Sequence, residues 1–250
     1  MKLEPIPNEP ALLHKAKKRT MIVADLHIGI EAELKEAGIN IPSQTKKISS
    51  HLIELCTQNE VDKVIIIGDV KHNVPLTSRQ EHYEIPSIFE RLKENVSEVH
   101  VTPGNHDGNL KNLLPKWVNM RDAKGFVSEG IGFFHGHTWP SKDVMRCSQV
   151  IIAHEHPTIQ FIETLGERDS RQCWVRSNFI SEITQKQYPD SKPELIILPA
   201  FNELCGGTAL NVSNNKFLSP ILTNKLVDMD NAAIYLLDGT FLGKLMDLRV

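Results

Sequence analysis

Apolar residues in this chain gather in short continuous runs. Thr20-Met-Ile-Val-Ala24, Val64–Ile67 and Val99-His-Val101 are unbroken or nearly so, as expected of strands covered on both faces. Between them the period changes. Ile48, Leu52, Ile53, Leu55 and Cys56 share one face of a helix that Ser43 can cap and that runs to Asn59. Arg79–Glu94 reads as a second helix, weakened by Pro86. Strand–helix–strand–helix–strand predicts a parallel sheet with right-handed crossovers. Upstream, Pro5, Pro7 and Pro10 keep the start of the chain extended, and Ala11–His14 pairs with Thr20–Ala24 as a hairpin across Lys15–Arg19.

The second half lacks long helical patterns. Gly125–Val127 and Ile131–Phe134 predict a hairpin, and Val150–Ala153 a strand after a short helical stretch. Thr158–Leu165, Cys173–Phe179, Leu195–Ala200 and the hairpin Ala232–Leu237/Phe241–Leu245 around Asp238-Gly239 follow. Strands in this arrangement predict a second, mixed or antiparallel sheet. Two packed sheets flanked by helices make an α/β chain with one domain over 1–250. Polar Glu167–Arg171 and Gln185–Lys192 are expected as exposed loops, and 158–192 as an inserted segment walling a cleft.

Composition narrows the class. With 250 residues, 40% hydrophobic and 24% charged, the chain is not disordered. No apolar run is long enough to span a membrane, and Met1–Pro10 has no apolar signal core, so a cytoplasmic location without a membrane partner is expected. A net charge of -3 argues against a broadly basic nucleic-acid surface and leaves room for a local groove. Cys56, Cys147, Cys173 and Cys205 form no CxxC pair and read as buried or free thiols in a reducing compartment. His14, His51, His82 and His100 read as solvated or capping residues. Lys15–Arg19 fits a charged turn better than a nucleic-acid patch, and Trp139 fits a packed cleft wall better than a base-stacking platform. Gly206-Gly207 precedes no Gly-Lys-Ser/Thr and suits close passage of backbone past a strand.

The informative residues are histidines beside Asp, Asn and Gly. Asp25-Leu-His27, Gly68-Asp69, Gly104-Asn-His-Asp107, His135-Gly-His137 and His154-Glu-His156 each follow an expected strand. Ligands of open α/β sheets bind beyond the carboxyl ends of the strands, where such strings converge. Imidazole and carboxylate suit Zn, Mn and Fe, and a period of two turns both ends of Asp-x-His to one side. Asp25, His27, Asp69, Asn105, His135, His154 and His156 exceed a four-ligand site. They fit two ions sharing one carboxylate and a hydroxide. Two divalent ions carry four positive charges, and Asp25, Asp69 and a hydroxide cancel three. The remainder favours an anionic substrate such as a phosphate ester, for which metal pairs about 3.5–4 Å apart are a known device.

The ordered set D-x-H, G-D, G-N-H-D, H-G-H, H-x-H resembles the calcineurin-like metallophosphoesterases. That resemblance implies a four-layer αββα sandwich of two mixed sheets flanked by helices. It also implies two divalent ions, manganese foremost, with iron, zinc or nickel as substitutes. It places Asp25, His27, Asp69 and His156 on one ion, with Asp69 bridging to a second held by Asn105, His135 and His154. It gives His106 to the leaving oxygen as proton donor, with Asp107 or another carboxylate orienting it. His135 is preferred to His137 as ligand, and His72 and His137 are left as candidate substrate contacts. Ala153 stands where the family usually has Gly. Gly68-Asp-Val-Lys-His72, His154-Glu-His-Pro157 and Leu198–Gly207 resemble archaeal relatives of the ligase-associated DNA-damage-response endonuclease.

The function implied is phosphoester hydrolysis by a metal-activated hydroxide, on nucleic acid or nucleotides. The competing readings are a small-metabolite phosphomonoesterase or cyclic-nucleotide phosphodiesterase, and a non-catalytic binding scaffold, against which the intact His106 speaks. The expected walls are Lys71–Arg79, Trp139–Arg146 and 166–192. In the last, Arg168, Arg171, Arg176, Lys186 and Lys192 could follow a phosphate backbone, offset by Glu167, Asp169, Glu182 and Asp190.

Overall fold

The computed structural model describes residues 2–162, 166–189, 191–213 and 216–250. Its first half forms β1 (Lys2–Pro5), β2 (Leu12–Lys15), β3 (Arg19–Ala24), β4 (Lys63–Ile67), β5 (Glu98–Thr102) and β6 (Asn119–Met120), in that order across one sheet. β1, β2 and β3 pair antiparallel, and β3 to β6 parallel. The connections carry α1 (Glu31–Glu36), α2 (Thr45–Gln58) and α3 (Arg79–Lys93).

The second half forms β7 (Phe126–Ser128), β8 (Ile131–Phe133), β9 (Gln149–Ile152), β10 (Pro157–Ile162), β11 (Arg168–Asn178), β12 (Glu194–Ile197), β13 (Thr208–Ala209), β14 (Ala233–Leu236) and β15 (Phe241–Lys244). They make a mixed sheet in the order β13-β10-β11-β12-β9-β8-β7, with β14 joining β11 to β15. Short helices α4 (Lys142–Met145), α5 (Ser181–Thr184) and α6 (Pro220–Thr223) lie along it.

Alternation along the strands builds the layers. Met21 and Val23 of β3 pack with Leu52, Leu55, Ile85 and Phe89 of α2 and α3. Ile22 and Ala24, one residue out of phase, pack with Phe133, Ile151, Trp174 and Ile196 of the second sheet. On that sheet's far face Val150, Ile152, Val175 and Ile197 meet Val144, Ile221 and Leu222. Helix, sheet, sheet and helix thus follow one another, as a period-two side-chain pattern dictates for strands covered on both faces. Among the described residues no helix is long and apolar enough to cross a membrane.

Several expectations change. Ser43 lies one residue before the N-cap Gln44, although its hydroxyl still accepts from Thr45 N at 3.3 Å. Pro86 does not end α3: a Ser78–Glu81 capping box fixes the start, and Ile85, Ile88, Phe89 and Leu92 are buried. α1 has no counterpart in the sequence reading. Arg168–Arg171 belongs to β11 and pairs with β10, since a backbone ladder does not require apolar side chains. The 185–192 stretch is docked, not free: Tyr188 Oη donates to Pro140 O at 2.9 Å, and Ser191 is buried. Residues 163–165 of the expected strand, and Asp190, lie outside the described residues. His14 and His100 are buried rather than solvated; His100 stacks on Phe126 and accepts from Arg121 Nε at 2.8 Å.

Candidate metal centre

Register brings the chemistry together. Ala24 pairs with Ile67, and Ile67 with Thr102, so β3, β4 and β5 end at one level. Asp25, Gly68-Asp69 and Gly104-Asn105-His106 leave from that edge. In the second sheet Phe133 pairs with Ile151, and His135 and His154 leave side by side. The two edges meet: His156 Nε2 lies 3.4 Å from Asp25 Oδ2.

The backbone is strained here. Ten non-glycine residues among those described have positive φ, and Asp25, His27, Asp69, His154 and His156 are half of them. Such conformations cost roughly 1–3 kcal/mol each and persist where surrounding structure imposes them. Gly68, at φ 75°, is needed twice over: a Cβ there would stand 2.1 Å from His135 Nδ1. Ala153 is accommodated in place of glycine, with no positive φ.

Asp69 is the centre of the cluster. Its Oδ1 accepts His106 N at 2.8 Å, and its Oδ2 lies 3.6 Å from His27 Nε2 and 3.3 Å from His135 Nε2. His135 donates Nδ1–H to Ile67 O at 3.1 Å, which leaves Nε2, 3.3 Å from Asn105 Oδ1, as the nitrogen that could hold a metal. Asp25, His27 and Asp69 offer donor atoms within 4.8 Å of one another, as do Asp69, His135 and His154. Five of the seven expected ligands fall in these two groups; His156 and Asn105 join through Asp25 and His135.

Electrostatics without a cation are those of two buried carboxylates among imidazoles. Burial opposes a charge on Asp25, but His156 and His135 hold its carboxyl below the usual range. Burial likewise opposes a charge on His135, and the Asp69 and Asp25 carboxylates outweigh it, raising the ring to about 9. Burial lowers His27 to about 3 and His154 to about 4. Both are neutral imidazoles with lone pairs to give. Asp25 Oδ1 and His27 Nε2 are buried with no hydrogen-bond partner. Buried polar atoms normally find one, so these two unpartnered ligand atoms fit a divalent cation.

His72 takes a different place from the one expected. Its Nδ1 meets His27 Nδ1 at 3.0 Å and its Nε2 meets Glu33 Oε2 at 2.6 Å, so both ring nitrogens have partners within the protein. With Nε2 of His27 reserved for a ligand, His27 donates Nδ1–H to His72, and His72 donates to Glu33. Asp107 also departs from expectation. It does not touch His106: its carboxylate accepts Gly104 N at 2.9 Å and Lys71 N at 3.1 Å. It binds the loop after β4 to the turn after β5, and burial raises it to about 6. His106 is oriented instead by the His72 carbonyl, to which its Nδ1–H donates. His137 stands 5.3 Å from the His135 ring and 6.1 Å from that of His154, with Nδ1 unpartnered.

Over the cluster lies a cleft of about 310 Å³, lined by the expected residues His27, Asp69, Asn105, His106, His154 and His156, and also by Glu155, Cys205, Gly207, Thr208 and Leu218. The second group was not found from sequence. Glu155, buried between two expected ligands, accepts Ser219 N at 2.7 Å and Leu218 N at 3.0 Å. Asn202 donates Nδ2–H to Leu26 O at 2.9 Å, and its backbone N donates to Asp25 O at 3.3 Å. Glu81 accepts the His72 and Asn73 backbone N–H groups at 3.0 and 2.7 Å; the Ser78-x-x-Glu81 spacing was its one available signal. Residues 158–192 supply β10, β11 and α5, and the described residues that line the cleft lie outside them. Arg171 and Arg176 are engaged by Asp169 and Glu194 at 2.7 and 2.6 Å. Trp139 packs on the far core of the second sheet. A Cβ at Gly207 would meet Thr158 Cγ2 at 2.2 Å, which explains the glycine beside β10.

The chain is similar to known proteins. The sequence profile of the calcineurin-like phosphoesterases matches residues 18–198. No curated protein matches the chain. The crystal structure of Pseudomonas putida nuclease MPE is similar in fold, with a TM-score of 0.56 and 21% identity, over 95% of this chain and 98% of that one. YfcE, a phosphoesterase from E. coli, aligns at a TM-score of 0.40 and 14% identity over 90% of this chain and 97% of its own.

Proposed function

The chain belongs to the calcineurin-like phosphoesterase family, and on that premise we propose that it is a binuclear, metal-dependent phosphodiesterase acting on nucleic acid or nucleotides. The observation that carries the binuclear reading is the position of Asp69, whose single Oδ2 faces both His27 and His135. Asp25, His27, Asp69 and His156 would hold one ion. Asp69, Asn105, His135 and His154 would hold the other. When bound, the ions supply a water nucleophile at neutral pH and offset charge on the phosphoryl oxygens; manganese is the proposed working metal.

The chain's own residues do the rest. His106 keeps Nδ1–H on the His72 carbonyl, so Nε2 is the nitrogen that can carry a proton to the leaving oxygen. Glu81 and Asp107 hold the loop that presents that carbonyl. His72 and Glu33 fix the ring of His27 so that Nε2 points inward.

Charge favours a diester over a monoester. None of the described residues lining the cleft is Lys or Arg, and a terminal phosphate carries an extra negative charge that would call for one. A fold shared with a nuclease fits nucleic acid as the substrate; the proposal includes a role in DNA repair inside the cell, which rests on the sequence resemblance. Residues 1–250 act as one domain in this reading. The test is hydrolysis, with manganese, of bis-p-nitrophenyl phosphate, p-nitrophenyl phosphate, cyclic nucleotides, and single- and double-stranded DNA. Turnover of the diester and DNA, with little on p-nitrophenyl phosphate, is expected. Preference for the monoester would favour the small-metabolite reading, and no turnover on any member would favour a scaffold.

A further inference from the structure

The loop after β12 carries a thiol to the metal centre. Phe201 N donates to Ala24 O at 2.9 Å, Asn202 clasps Asp25 and Leu26, and Cys205 N donates to Asn202 O at 3.1 Å. Cys205 Sγ comes to rest 3.7 Å from the Asp25 carbonyl. The loop is fastened to the Asp25-Leu26-His27 string itself, so the thiol's place is built rather than incidental.

Two imidazoles face it. The donor atoms of His27, His156 and Cys205 all lie within 4.8 Å of one another. His27 is only 3% exposed and its Nε2 has no hydrogen-bond partner. Cys205 also lines the cleft beside His27 and His156. Gly206 follows with φ 62°, and a Cβ there would meet nothing within 4 Å, so the loop has room to bring the thiol closer to one ion. Sulfur binds zinc at about 2.3 Å and imidazole nitrogen at about 2.0–2.1 Å.

We propose that Cys205 is a further metal-binding residue, and that with His27 and His156 it takes a thiophilic divalent cation, zinc or cadmium. Thiolate favours such ions over manganese. On binding, the S–H bond breaks, the proton passes to solvent and the sulfur electron pair goes to the ion, with no redox change. The proposal rests on the reading of this cluster as a metal centre. Because His27 and His156 are also proposed manganese ligands, a thiophilic ion competes with manganese for them and differs from it by the added thiolate.

Cobalt serves as the spectroscopic probe. Metal-free full-length protein titrated with Co²⁺ should show an intense near-ultraviolet thiolate-to-cobalt charge-transfer band beside the weaker visible bands of nitrogen and oxygen ligands. Cys205→Ser should lose the first and keep the second, and Cys147→Ser, which alters a thiol elsewhere, should keep both. Cadmium affinity should fall at least about tenfold in Cys205→Ser, the lower end of the loss for removing even an outer partner of a metal ligand, while manganese affinity changes less. Cys205→Ala gives the same reading if serine is not tolerated. Visible bands without the charge-transfer band in the parent protein would overturn the proposal and leave the metal centre standing. So would a charge-transfer band that survives in Cys205→Ser. Absence of all cobalt bands would overturn both.

Discussion

Gly104 lies so close to Asp69 that a Cβ on it would stand 2.0 Å from Asp69 Oδ1 and 2.6 Å from its backbone nitrogen. The turn leaving β5 is therefore folded directly onto the carboxylate that β4 presents. The same turn gives His106 N–H to Oδ1, and Oδ2 is left to face His27 and His135. The glycine of G-N-H-D is a packing requirement of the glycine-aspartate string before it.

Gly104→Ala should consequently fold but displace Asp69. A misplacement of about 1 Å at a reacting centre costs roughly 10²-fold in rate, and a loss of at least that size is expected, together with loss of bound metal. Gly108→Ala is the control, because a Cβ there meets nothing within 4 Å. Turnover and metal content of both variants, with circular dichroism as the check on folding, decide the matter. A Gly104→Ala protein with full metal and parental turnover would mean that Asp69 is not the shared ligand.

Stoichiometry tests the sharing directly. Protein reconstituted with excess manganese should approach two equivalents per chain, and Asp69→Asn should lose occupancy at both positions, since it removes the one carboxylate common to them. A firm plateau at a single equivalent with full activity would sink the binuclear reading.

The convergence of these strings was legible because they sit at strand ends, where local sequence dictates both the strand and the exit. What was not legible came from elements that contact the strings across long stretches of chain. Asn202 and Cys205 reach the Asp25 string from the far end of the sequence, in a loop whose apolar pattern says only that a strand has ended. The contact of His72 with Glu33 was not legible because Glu33 sits on α1, six residues too few and too polar to announce a helix. The resemblance implied Asp107 or another carboxylate as the partner of His106, whereas His106 Nδ1 donates to the His72 carbonyl and Asp107 accepts from Gly104 and Lys71.

On the proposed ligand set, proton and metal compete at His135. In the metal-free protein its ring is raised to about 9 by Asp69 and Asp25, against the opposing effect of burial, from an ordinary value of 6.5. A raised folded-state value stabilises the fold fully below the unfolded value and is lost as pH climbs through the folded one. The excess melting temperature of metal-free parent protein over metal-free His135→Gln should therefore shrink between pH 6.5 and 9. Manganese affinity should move the other way, rising over the same window as Nε2 gives up its proton. A melting difference that stays flat across that range would show that the Asp69 and Asp25 carboxylates do not hold a proton on His135.

His106 makes the sharpest test of mechanism. It follows Asn105 on the turn after β5, its backbone N–H is spent on Asp69 Oδ1 and its Nδ1–H on the His72 carbonyl. Neither bond uses Nε2, and the residue lines the cleft. A positioned general acid is worth roughly 10²–10⁴ in rate. His106→Ala should keep its fold and both metals, since no ligand is removed, and lose a factor of about that size on esters with poor leaving groups. A good leaving group such as p-nitrophenolate needs little protonation, so its loss should be smaller. The measurement is the ratio of mutant to parent rate across aryl diesters of increasing leaving-group pKa, with metal content checked on every sample. A ratio that falls steadily as the leaving group worsens identifies the proton donor. A uniform loss would mean that His106 acts on the phosphoryl oxygens through its charge, and loss of a metal would make it a ligand.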